Sequence, residues 1–515
     1  MDDLVAEEFS RCVIDMILDG RITDRERLQR IKIQLCGRYG LRDVPKNSEI
    51  LSFVRPEERK KVVPFLIKKP VRTLSGVSVV AVMTSPYPCP HGKCTYCPGG
   101  VENDSPQSYT GKEPAARRAA RNEFDPFRQV QDRIQQLEAI GHKTDKIDLI
   151  VMGGTFTSRD PGYQSWFVKR CFDAMNHRDA SDIETAQKWN ETSEHRCIGL
   201  TIETRPDVFT DEQIEKSMSL GATRVELGVQ ILDDDILAAV HRGHGIAEII
   251  EGTKRCKDHG LKVCYHIMPG LPGSSPEKDM ESFRRVFSDQ DFRPDMLKFY
   301  TTLVVAGTQL YDMWKAKEYE PYDVQKATDL LADMKAIVPE YVRIQRIQRD
   351  IPAPQIAAGI LKSNIRELVQ ERLSETGRRC RCIRCREVGQ NDVALTDPSA
   401  VKLSDLCYEA SGGQEDFINL TYEDSLIGYV RLRTDGSPVA TIRELKVFGR
   451  VASIGEQGED WQHRGFGREL VEVAENKATT LGAKRMRVTS GVGVRDYYRQ
   501  MGYVLESPYM VKDLM

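Results

Sequence analysis

The segment Cys89–Gly100 reads Cys-Pro-His-Gly-Lys-Cys-Thr-Tyr-Cys-Pro-Gly-Gly and lies a few residues after the apolar run Val77–Met83. The run has the composition of a buried strand, so we expect the three cysteines in the loop that follows it. Three thiolates in one loop can hold three irons of a cubane iron–sulfur cluster and leave the fourth iron open. A structural zinc ion with His91 as its fourth ligand is the alternative interpretation. The three cysteines are Cys89, Cys94 and Cys97.

Short apolar strands alternate with amphipathic helices downstream of this loop, a pattern that predicts parallel pairing with crossover helices. With the first run, six strands are predicted. Six such units predict a partial TIM-like (β/α)6 barrel over residues 76–340, with functional residues at the carboxyl ends of its strands. The other five strands are Ile147–Met152, Cys197–Ile202, Arg224–Val229, Lys262–Ile267 and Met296–Thr301.

Glycine and polar side chains follow three of these strands and should meet at the mouth of the barrel. Exposed glycine backbone beside polar side chains suits a small polar ligand with amino, carboxylate and ribose groups. A structural ion pair is the alternative interpretation of Glu203 and Arg205. The candidate ligand-binding residues are Gly153, Gly154, Thr155, Glu203, Arg205 and Gln230.

The regions that flank the barrel differ from it in pattern. Residues 1–75 have apolar side chains at helical spacing and end in a basic stretch, which predicts a helical N-terminal extension. Residues 397–515 predict a second α/β domain. In that domain, the loop Gln462–Gly467 opens a helix and carries glycines at its N-terminus, where free N–H groups attract an anion such as a pyrophosphate. A glycine-rich turn without a ligand is the alternative.

A second cysteine cluster lies in the linker of residues 341–396. Its C-x-C-x2-C spacing among arginines predicts a zinc ion that clamps the two domains together. The fourth ligand stays open between Cys407 and a histidine of the barrel. The three predicted ligands are Cys380, Cys382 and Cys385.

Charge and composition restrict the partners. The chain has 515 residues, of which 29% are charged, and a net charge of −3, so binding to a nucleic acid needs local basic patches. Each of four arginine- or lysine-rich segments is by itself typical of a solvated face, but together they favour an anionic polymer as partner. The segments are Arg55–Arg72, Arg117–Arg121, Arg343–Arg349 and Arg378–Arg386.

The location is predicted from what the sequence lacks. It has no run of 18 apolar residues, and its first residues are acidic rather than basic and apolar. We therefore expect a cytoplasmic protein with no membrane partner. Thirteen cysteines in a reducing compartment favour metal binding over disulfides.

The barrel resembles the radical S-adenosylmethionine (SAM) superfamily, and the chain as a whole resembles the catalytic subunit of Elongator. The superfamily spacing is C-x3-C-x2-C, whereas this chain has C-x4-C-x2-C, a lengthened first gap that fits the Elongator subfamily. The C-terminal domain, with Tyr498 in a Tyr-x-x-x-Gly-aromatic ending, resembles the GCN5-related N-acetyltransferases (GNAT). The matching segments are Tyr96–Gly100, Gln107–Gly111, Val151–Phe156 and His266–Gly273.

The resemblance implies an acyltransferase that modifies the wobble uridine of tRNA with a [4Fe-4S] cluster, SAM, acetyl-CoA and zinc. In this family the SAM-derived radical removes hydrogen from the acetyl methyl group, the carbon radical adds to C5 of uridine, and thioester hydrolysis leaves 5-carboxymethyluridine. Lys146 and Tyr498 are the implied catalytic residues, and both are also implied to contact acetyl-CoA. Further implied acetyl-CoA-binding residues are Glu444, Leu445, Lys446, Val447, Gln462, Arg464, Gly465, Phe466, Gly467 and Arg468. Implied tRNA-binding residues are Lys60, Lys61, Lys68, Lys69, Arg72, Arg343 and Arg346.

Two other functions compete with this interpretation. One is a lysine N-acetyltransferase of proteins, with a structural iron–sulfur domain and Glu444 as the base that deprotonates the amine. The other is a non-catalytic RNA-binding scaffold, which would not consume SAM. Elongator-type accessory subunits and a homodimer are both compatible with the sequence.

Overall fold

The computed structural model describes residues 3–69, 76–391, 393, 397–449 and 465–514. Four helices form the N-terminal unit and enclose an apolar core of their own around Phe9, Val13 and Ile50. This unit is attached to the barrel where the Lys68 carbonyl meets Nε2 of His142 at 3.0 Å. The helices are α1 (Asp3–Leu18), α2 (Arg25–Arg38), α3 (Asn47–Leu51) and α4 (Arg59–Leu66).

A curled parallel sheet of seven strands, ordered β1-β2-β3-β4-β5-β6-β8, forms the half-barrel. Apolar residues dominate the strands, as expected of a parallel sheet covered by helices. The sheet continues past residue 340, the predicted end of the barrel, because β8 pairs in parallel with β6. Its strands are β1 (Ser78–Met83), β2 (Lys146–Met152), β3 (Arg196–Thr204), β4 (Arg224–Gln230), β5 (Lys262–Ile267), β6 (Met296–Phe299) and β8 (Arg343–Arg346).

Helices connect these strands, and two short strands, β7 (Val304–Val305) and β9 (Ile356–Ala358), pair outside the sheet. The helices of this part are α5 (Pro114–Arg121), α6 (Pro126–Ala139), α7 (Pro161–Asn176), α8 (Ile183–Asn190), α9 (Asp211–Ser219), α10 (Asp234–Ala239), α11 (Ile246–Asp258), α12 (Pro276–Ser288), α13 (Gln309–Lys315), α14 (Val324–Ala336), α15 (Ile365–Glu375), α16 (Ile383–Arg386) and α17 (Val388–Asn391). No helix in the described segments is both long enough and apolar enough to cross a membrane.

The C-terminal domain is a second seven-stranded sheet, of order β10-β11-β12-β13-β14-β16-β15, with helix α18 packed on β12 and β13. The ladder is antiparallel except between β13 and β14, which run parallel. The elements are β10 (Lys402–Ala410), β11 (Gly413–Tyr422), β12 (Ser425–Thr434), β13 (Val439–Val447), α18 (Phe466–Thr480), β14 (Arg485–Val488), α19 (Arg495–Arg499), β15 (Val504–Glu506) and β16 (Tyr509–Asp513).

The C-terminal domain packs against the amino ends of the barrel strands. The guanidinium of Arg443 on β13 donates to both carboxylate oxygens of Asp295, which directly precedes β6, and to the carbonyl of Leu261, which precedes β5. Arg431 on β12 donates to the Tyr341 carbonyl at 2.7 Å. The opposite, carboxyl ends of the barrel strands are therefore left to form a separate cleft.

Candidate functional site

The three cysteines of the Cys89–Gly100 loop lie at the carboxyl end of the sheet. Their sulfur atoms do not form a group in which all lie within 4.8 Å of one another. The ligands of one zinc ion, with bonds of 2.3 Å, would place sulfurs about 3.8 Å apart. The spacing therefore fits a multi-iron cluster better than the alternative of one zinc ion.

Hydrogen-bond donors surround two of the sulfurs. Cys97 Sγ accepts from Nε2 of Gln107 and from the backbone N–H of Ser108, both at 3.2 Å. Gly99 allows this approach, because a Cβ there would stand 2.3 Å from the Tyr109 carbonyl oxygen. Arg242 points a guanidinium nitrogen at Cys94 Sγ from 3.7 Å. Such donors stabilise sulfur ligands of iron–sulfur clusters.

Burial raises the pKa of the Cys89 and Cys97 thiols. Without metal these two thiols are therefore protonated at neutral pH. Binding of iron has to displace their protons, since the thiolate is the metal ligand.

A cleft opens beside this loop and collects most of the residues predicted to bind a polar ligand. Its lining includes Cys89 and Cys94 together with Gly154, Thr155, Glu203, Arg205 and Gln230. Gly153 does not line the cleft. Its backbone lies so close to Thr84 that a Cβ would stand 2.2 Å from the hydroxyl.

Arg205 is held by partners within the protein. Its Nε and Nη2 donate to the two carboxylate oxygens of Asp207, at 2.9 and 2.7 Å, and its Nη1 donates to the carbonyl of Arg242 at 2.9 Å. The structural ion pair that the sequence left open thus exists, but with Asp207 rather than Glu203. Arg205 also fixes the segment that brings Arg242 to the cysteine loop.

Glu203 lies at the floor of the cleft in a group of buried acids and bases. Tyr109 donates its hydroxyl to Glu203 at 2.8 Å, and burial together with the neighbouring Glu226 raises the pKa of Glu203. Glu226 accepts from the Lys298 ammonium and lies 2.8 Å from Nε2 of His266. Although burial opposes ionisation, Lys298 and His266 lower the pKa of Glu226. The group can therefore hold one protonated and one ionised carboxyl side by side.

Four buried polar atoms of residues that line the cleft have no hydrogen-bond partner within the described segments. They are Oε1 of Glu226, Oε1 of Gln230, Nε of Arg242 and the hydroxyl oxygen of Tyr96. Buried polar groups are normally satisfied, so unpaired acceptors and a donor facing one cavity indicate a polar ligand or ordered water. The residues present therefore fit SAM, which carries amino, carboxylate and ribose groups.

The interior of the barrel below the cleft is charged rather than apolar. Alternate residues of β4 face it, so that Arg224, which is bonded to Asp148 at 3.0 Å, lies one step below Glu226. Lys262 lies at the same level on β5, and burial lowers the pKa of Lys262 to about 8 against the attraction of Glu444. TIM-barrel interiors are usually packed with branched apolar side chains. Here, a row of charges joins the cleft to the C-terminal domain.

The described part of the C-terminal domain brings several of its predicted residues together. Gly465 has a left-handed backbone with φ of 90° and precedes α18. A Cβ at Gly467 would meet the Tyr497 hydroxyl and a methyl group of Val447, so the start of α18 faces the end of β13. Phe466 and Arg468 flank this point, whereas Gln462 and Arg464 lie outside the described residues.

Strands β13 and β14 separate after Ile442. Among the described residues, their parallel pairing covers only Val439–Ile442 of β13, so Glu444, Leu445 and Lys446 lie beyond the paired part. Glu444 accepts from Arg431 at 2.9 Å. This engagement in an ion pair weakens its assignment as the base of a lysine acetyltransferase.

Tyr498 lies on α19, 5% exposed, with its ring edge-on against Tyr497 and Tyr503. Burial raises the pKa of Tyr498. The phenol is therefore protonated at neutral pH, as a proton donor must be.

Lys146 is the first residue of β2, at the end opposite to Gly153. The six residue steps to Met152 put about 20 Å between Lys146 and the cleft. Its strand partner Arg196 abuts Gly493 of the C-terminal domain. Burial lowers the pKa of Lys146. Lys146 thus lies toward the C-terminal domain and away from the cleft.

The second cysteine cluster is compact, since the sulfurs of Cys380, Cys382 and Cys385 all lie within 4.8 Å of one another. Residues around it contact both domains: the Ile383 N–H donates to Val342 at 2.9 Å, and Arg381 binds Asp424 at 2.8 Å. Cys407 is exposed on β10 opposite Asp416 and is not part of this group. The described residues bring three candidate metal ligands together here, and Cys407 is not a fourth.

The predicted tRNA-binding residues fall into three classes. Lys60, Lys61, Lys68 and Lys69 are exposed on the N-terminal unit, and Arg72 lies outside the described residues. Arg346 lines the cleft and pairs with Asp350. Arg343 differs, because its side chain is 13% exposed and donates to the buried Glu387 at 2.7 Å. That ion pair holds most of the Arg343 side chain away from solvent, so Arg343 is less accessible to tRNA than the exposed lysines.

Sequence reasoning missed several residues of the cleft. Glu226 lies two positions before Gly228 and therefore on the same face of β4. The alternation of side chains along a strand could have predicted that Glu226 lines the cleft. Tyr109 and His266 stand inside segments that carried the family resemblance. Arg349 belongs to the basic segment Arg343–Arg349 but was not assigned to the cleft, and Arg242 follows no strand of the predicted set and has no local signal that places it.

Models of known domain families match the chain in four segments. They are the ELP3 N-terminal domain at residues 6–74, the Radical SAM superfamily at 85–286, the Radical_SAM C-terminal domain at 294–375 and the Acetyltransferase (GNAT) family at 390–503. The predicted fold class, a radical SAM partial barrel followed by a GNAT domain, is confirmed.

Full-length relatives support the same conclusion. A protein of Methanocaldococcus infernus named tRNA uridine(34) acetyltransferase is 48% identical over 99% of this chain and 100% of its own length. Elongator complex protein 3 of Homo sapiens is 42% identical over 95% of this chain and 93% of its own. A solved structure of Methanocaldococcus infernus Elp3 that lacks residues 1–46 superposes with a TM-score of 0.76 at 45% identity. It covers 86% of this chain and 100% of its own.

Proposed function

Because the chain belongs to the family of tRNA uridine(34) acetyltransferases and Elongator complex protein 3, we propose that it is an acyltransferase that modifies the wobble uridine of tRNA. The finer proposal is that acetyl-CoA supplies a carboxymethyl group to C5 of that uridine. The cleft in which Cys89 and Cys94 meet unpaired polar atoms of Glu226, Gln230 and Arg242 carries the proposal. A bound cluster and SAM would supply a radical strong enough to activate a methyl C–H bond, which acid–base groups do not.

The protein residues would bind and orient the reactants. Cys89, Cys94 and Cys97 would hold the cluster through three irons. Glu203, Gln230 and the backbone at Gly154 would bind the polar groups of SAM, while Arg205 positions Arg242. The N-terminus of α18 would receive the pyrophosphate of acetyl-CoA.

The cleft lies at the carboxyl ends of the barrel strands, whereas the C-terminal domain packs against their amino ends, so the two predicted sites have to be coupled through the barrel. The charged side chains of Arg224, Glu226 and Lys262 lie between the two, with Lys146 and Glu444 at the end near the C-terminal domain. A lysine acetyltransferase would not need such a connection. This arrangement favours the radical proposal over that rival.

Acetyl-CoA with a fully deuterated methyl group tests the function most directly. Protein reconstituted with iron and sulfide without oxygen would be incubated with tRNA, SAM, dithionite and this acetyl-CoA, followed by mass spectrometry of nucleosides. We expect 5-carboxymethyluridine that retains two deuterium atoms and 5′-deoxyadenosine that gains one. A modified uridine without transfer of deuterium to 5′-deoxyadenosine would refute the radical step alone. The absence of any modified uridine would refute the function.

Tyr498 is proposed to protonate the departing CoA thiolate. Tyr498→Phe should lower the release of CoA by roughly 100-fold, the usual effect of a lost acid catalyst, with little change in acetyl-CoA binding. Because burial raises the pKa of Tyr498, wild-type CoA release should not fall between pH 7 and pH 9 through loss of this proton. Unchanged CoA release in the Phe variant, measured with a thiol reagent, would remove Tyr498 from the mechanism.

We further propose that Cys380, Cys382 and Cys385 hold zinc between the domains. Cys380→Ser should lower bound zinc by about one ion per chain and weaken the attachment of the domains, since structural zinc contributes folding free energy. Metal analysis after anaerobic purification and thermal unfolding measure both effects. Cys407→Ser is the matched control and should keep its zinc. Full zinc in the Cys380 variant would contradict the assignment.

A further inference from the structure

A stack of aromatic and guanidinium groups lies beside the cysteine loop and has no part in the site described above. The Arg159 guanidinium is sandwiched between two rings, 4.3 Å from the ring centroid of Tyr87 and 3.9 Å from that of Tyr163. Its Nη1 donates to the Ser85 carbonyl at 2.9 Å, and its Nη2 approaches the Ser85 hydroxyl at 3.0 Å. These four contacts fix the orientation of the guanidinium plane and leave its positive charge unneutralised.

The stack is open to solvent at both ends. On one side Tyr87 is 40% exposed, and on the other Trp166, whose ring lies 5.5 Å from that of Tyr163, is 44% exposed. Exposed aromatic rings in contact with each other form a preorganised apolar surface with flat faces. Such rings suit a flat, polar-edged ligand better than a rounded aliphatic one.

The positive charge of Arg159 is not neutralised by a carboxylate of the described chain. Its neighbour Asp160 instead caps helix α7 and accepts from the Tyr163 N–H at 3.0 Å. An arginine that is held flat between rings, next to exposed aromatic faces and without an acidic partner, is complementary to an anionic ligand with planar groups. Nucleic acid is the polymer that combines planar bases with phosphates.

The position of the stack connects it to the cleft. Tyr87 precedes the cleft residue Cys89 by two positions, and Arg159 follows the cleft residue Thr155 by four. The thiol of Cys89 and the hydroxyl of Thr155 lie 3.2 Å apart, which brings the two segments together at the edge of the cleft. A polymer that inserts one nucleotide into the cleft would pass over this surface.

We propose that Tyr87, Arg159 and Trp166 form a stacking platform for an unpaired RNA base that neighbours the nucleotide in the cleft, with Arg159 also facing a phosphate. The proposal rests on the proposed function, since it assumes an RNA substrate. Proteins bind single-stranded RNA by stacking its bases on aromatic and guanidinium planes, and each such base is typically worth a factor of about 5 to 150 in affinity.

A stacked RNA base can be distinguished from a docked apolar protein segment by the shape of the side chain that each requires. Trp166→Leu keeps an apolar side chain but removes the flat ring, whereas Trp166→Tyr keeps a ring. A stacked base requires the ring, so the Leu variant should lose binding and the Tyr variant should retain it. A docked aliphatic segment would tolerate the Leu variant.

The experiment uses the full chain and an anticodon stem-loop RNA with 2-aminopurine at one loop position at a time. For wild type we expect fluorescence quenching at one loop position next to the target uridine. Trp166→Leu should abolish that quenching and weaken binding about 10-fold, while Trp166→Tyr restores both. Arg159→Gln should lower the dependence of log Kd on log salt by about one unit. Leu481→Ala, an equally exposed apolar change in the C-terminal domain, is the control.

The possible results separate the two proposals. Wild-type quenching that survives in Trp166→Leu, in protein shown by thermal unfolding to be folded, would overturn the platform and leave the function intact. Tight binding of the stem-loop without quenching at any position would do the same. A wild-type chain that neither binds the stem-loop nor modifies tRNA would refute both proposals.

Discussion

Replacing Cys94 with serine should abolish both 5′-deoxyadenosine and the modified uridine, a loss of more than about 1,000-fold, because rate enhancements by enzymes begin near 10⁶. Cys94 lines the cleft, and its sulfur lies near Arg242 and His91. A serine there would remove one of the three proposed ligands of the cluster. Iron content and the absorption of the reconstituted protein should fall with the activity. Liquid chromatography with mass spectrometry detects both products in one sample.

Cys407→Ser controls for the loss of a thiol as such, since Cys407 is exposed on β10 and belongs to neither cluster. It should keep its iron and its full activity. Acetyl transfer to a protein amine that persists in Cys94→Ser would instead support the lysine acetyltransferase. Zinc in place of iron at the Cys89–Gly100 loop would remove the basis of the radical proposal.

Much of the fold follows from local pattern. The apolar runs that became β1 to β5 are each bounded by turn residues, and the glycines and acids after β2 and β3 lie at the edge where parallel strands end. Sequence pattern could identify these because each strand carries a short apolar run whose residues, apart from Val79, are buried or partly buried in the structure. The place of the cysteine loop at this edge could be predicted from its position directly after β1.

The elements that the sequence did not predict lack that pattern. β8 reads Arg-Ile-Gln-Arg, with one apolar residue in four, and is recognisable as a strand only from its pairing with β6. In β10 most side chains are exposed, so no alternation marks it as an edge strand. Tertiary contacts, rather than intrinsic propensity, determine both elements.

The candidate site shows the same division. Cys89, Gly154 and Glu203 follow from the strand ends, whereas Arg242 reaches Cys94 from 148 positions away along the chain. The wobble uridine itself was implied by family resemblance and not by any geometric feature. The charged interior of the barrel could be recognised only from the structure. There, strand pairing places Arg224 beside Lys262, and the Arg224 side chain donates to Asp148.

Replacing Asp295 with asparagine should destabilise the attachment of the two domains by about 3–5 kcal/mol, the usual cost of removing one partner of a buried ion pair. Asp295 is fully buried and accepts from Arg443 through both oxygens, with Arg431 at 3.5 Å. The asparagine would leave two buried arginines short of negative charge. Urea unfolding should then show an earlier transition, or two transitions in place of one.

The same ion pair predicts how stability depends on pH. Although burial opposes ionisation, Arg443 and Arg431 lower the pKa of Asp295. A lowered pKa in the folded state means that the stabilisation is complete above about pH 4, the ordinary pKa of an aspartate, and is lost as the pH falls toward the lower value. Wild type should therefore lose domain attachment on acidification, and the Asn variant should lack this part of the pH dependence.

Asp333→Asn is the matched control, since Asp333 makes an exposed ion pair with Arg378 at 2.7 Å on the surface of the barrel. Exposed pairs contribute about 0–1 kcal/mol, so its unfolding should resemble that of wild type. The row of charges between the cleft and the C-terminal domain needs the two domains in register, so Asp295→Asn should also lower carboxymethyl transfer more than SAM cleavage. Equal losses of both activities, or a wild-type unfolding curve, would contradict a role for Asp295 in coupling the domains.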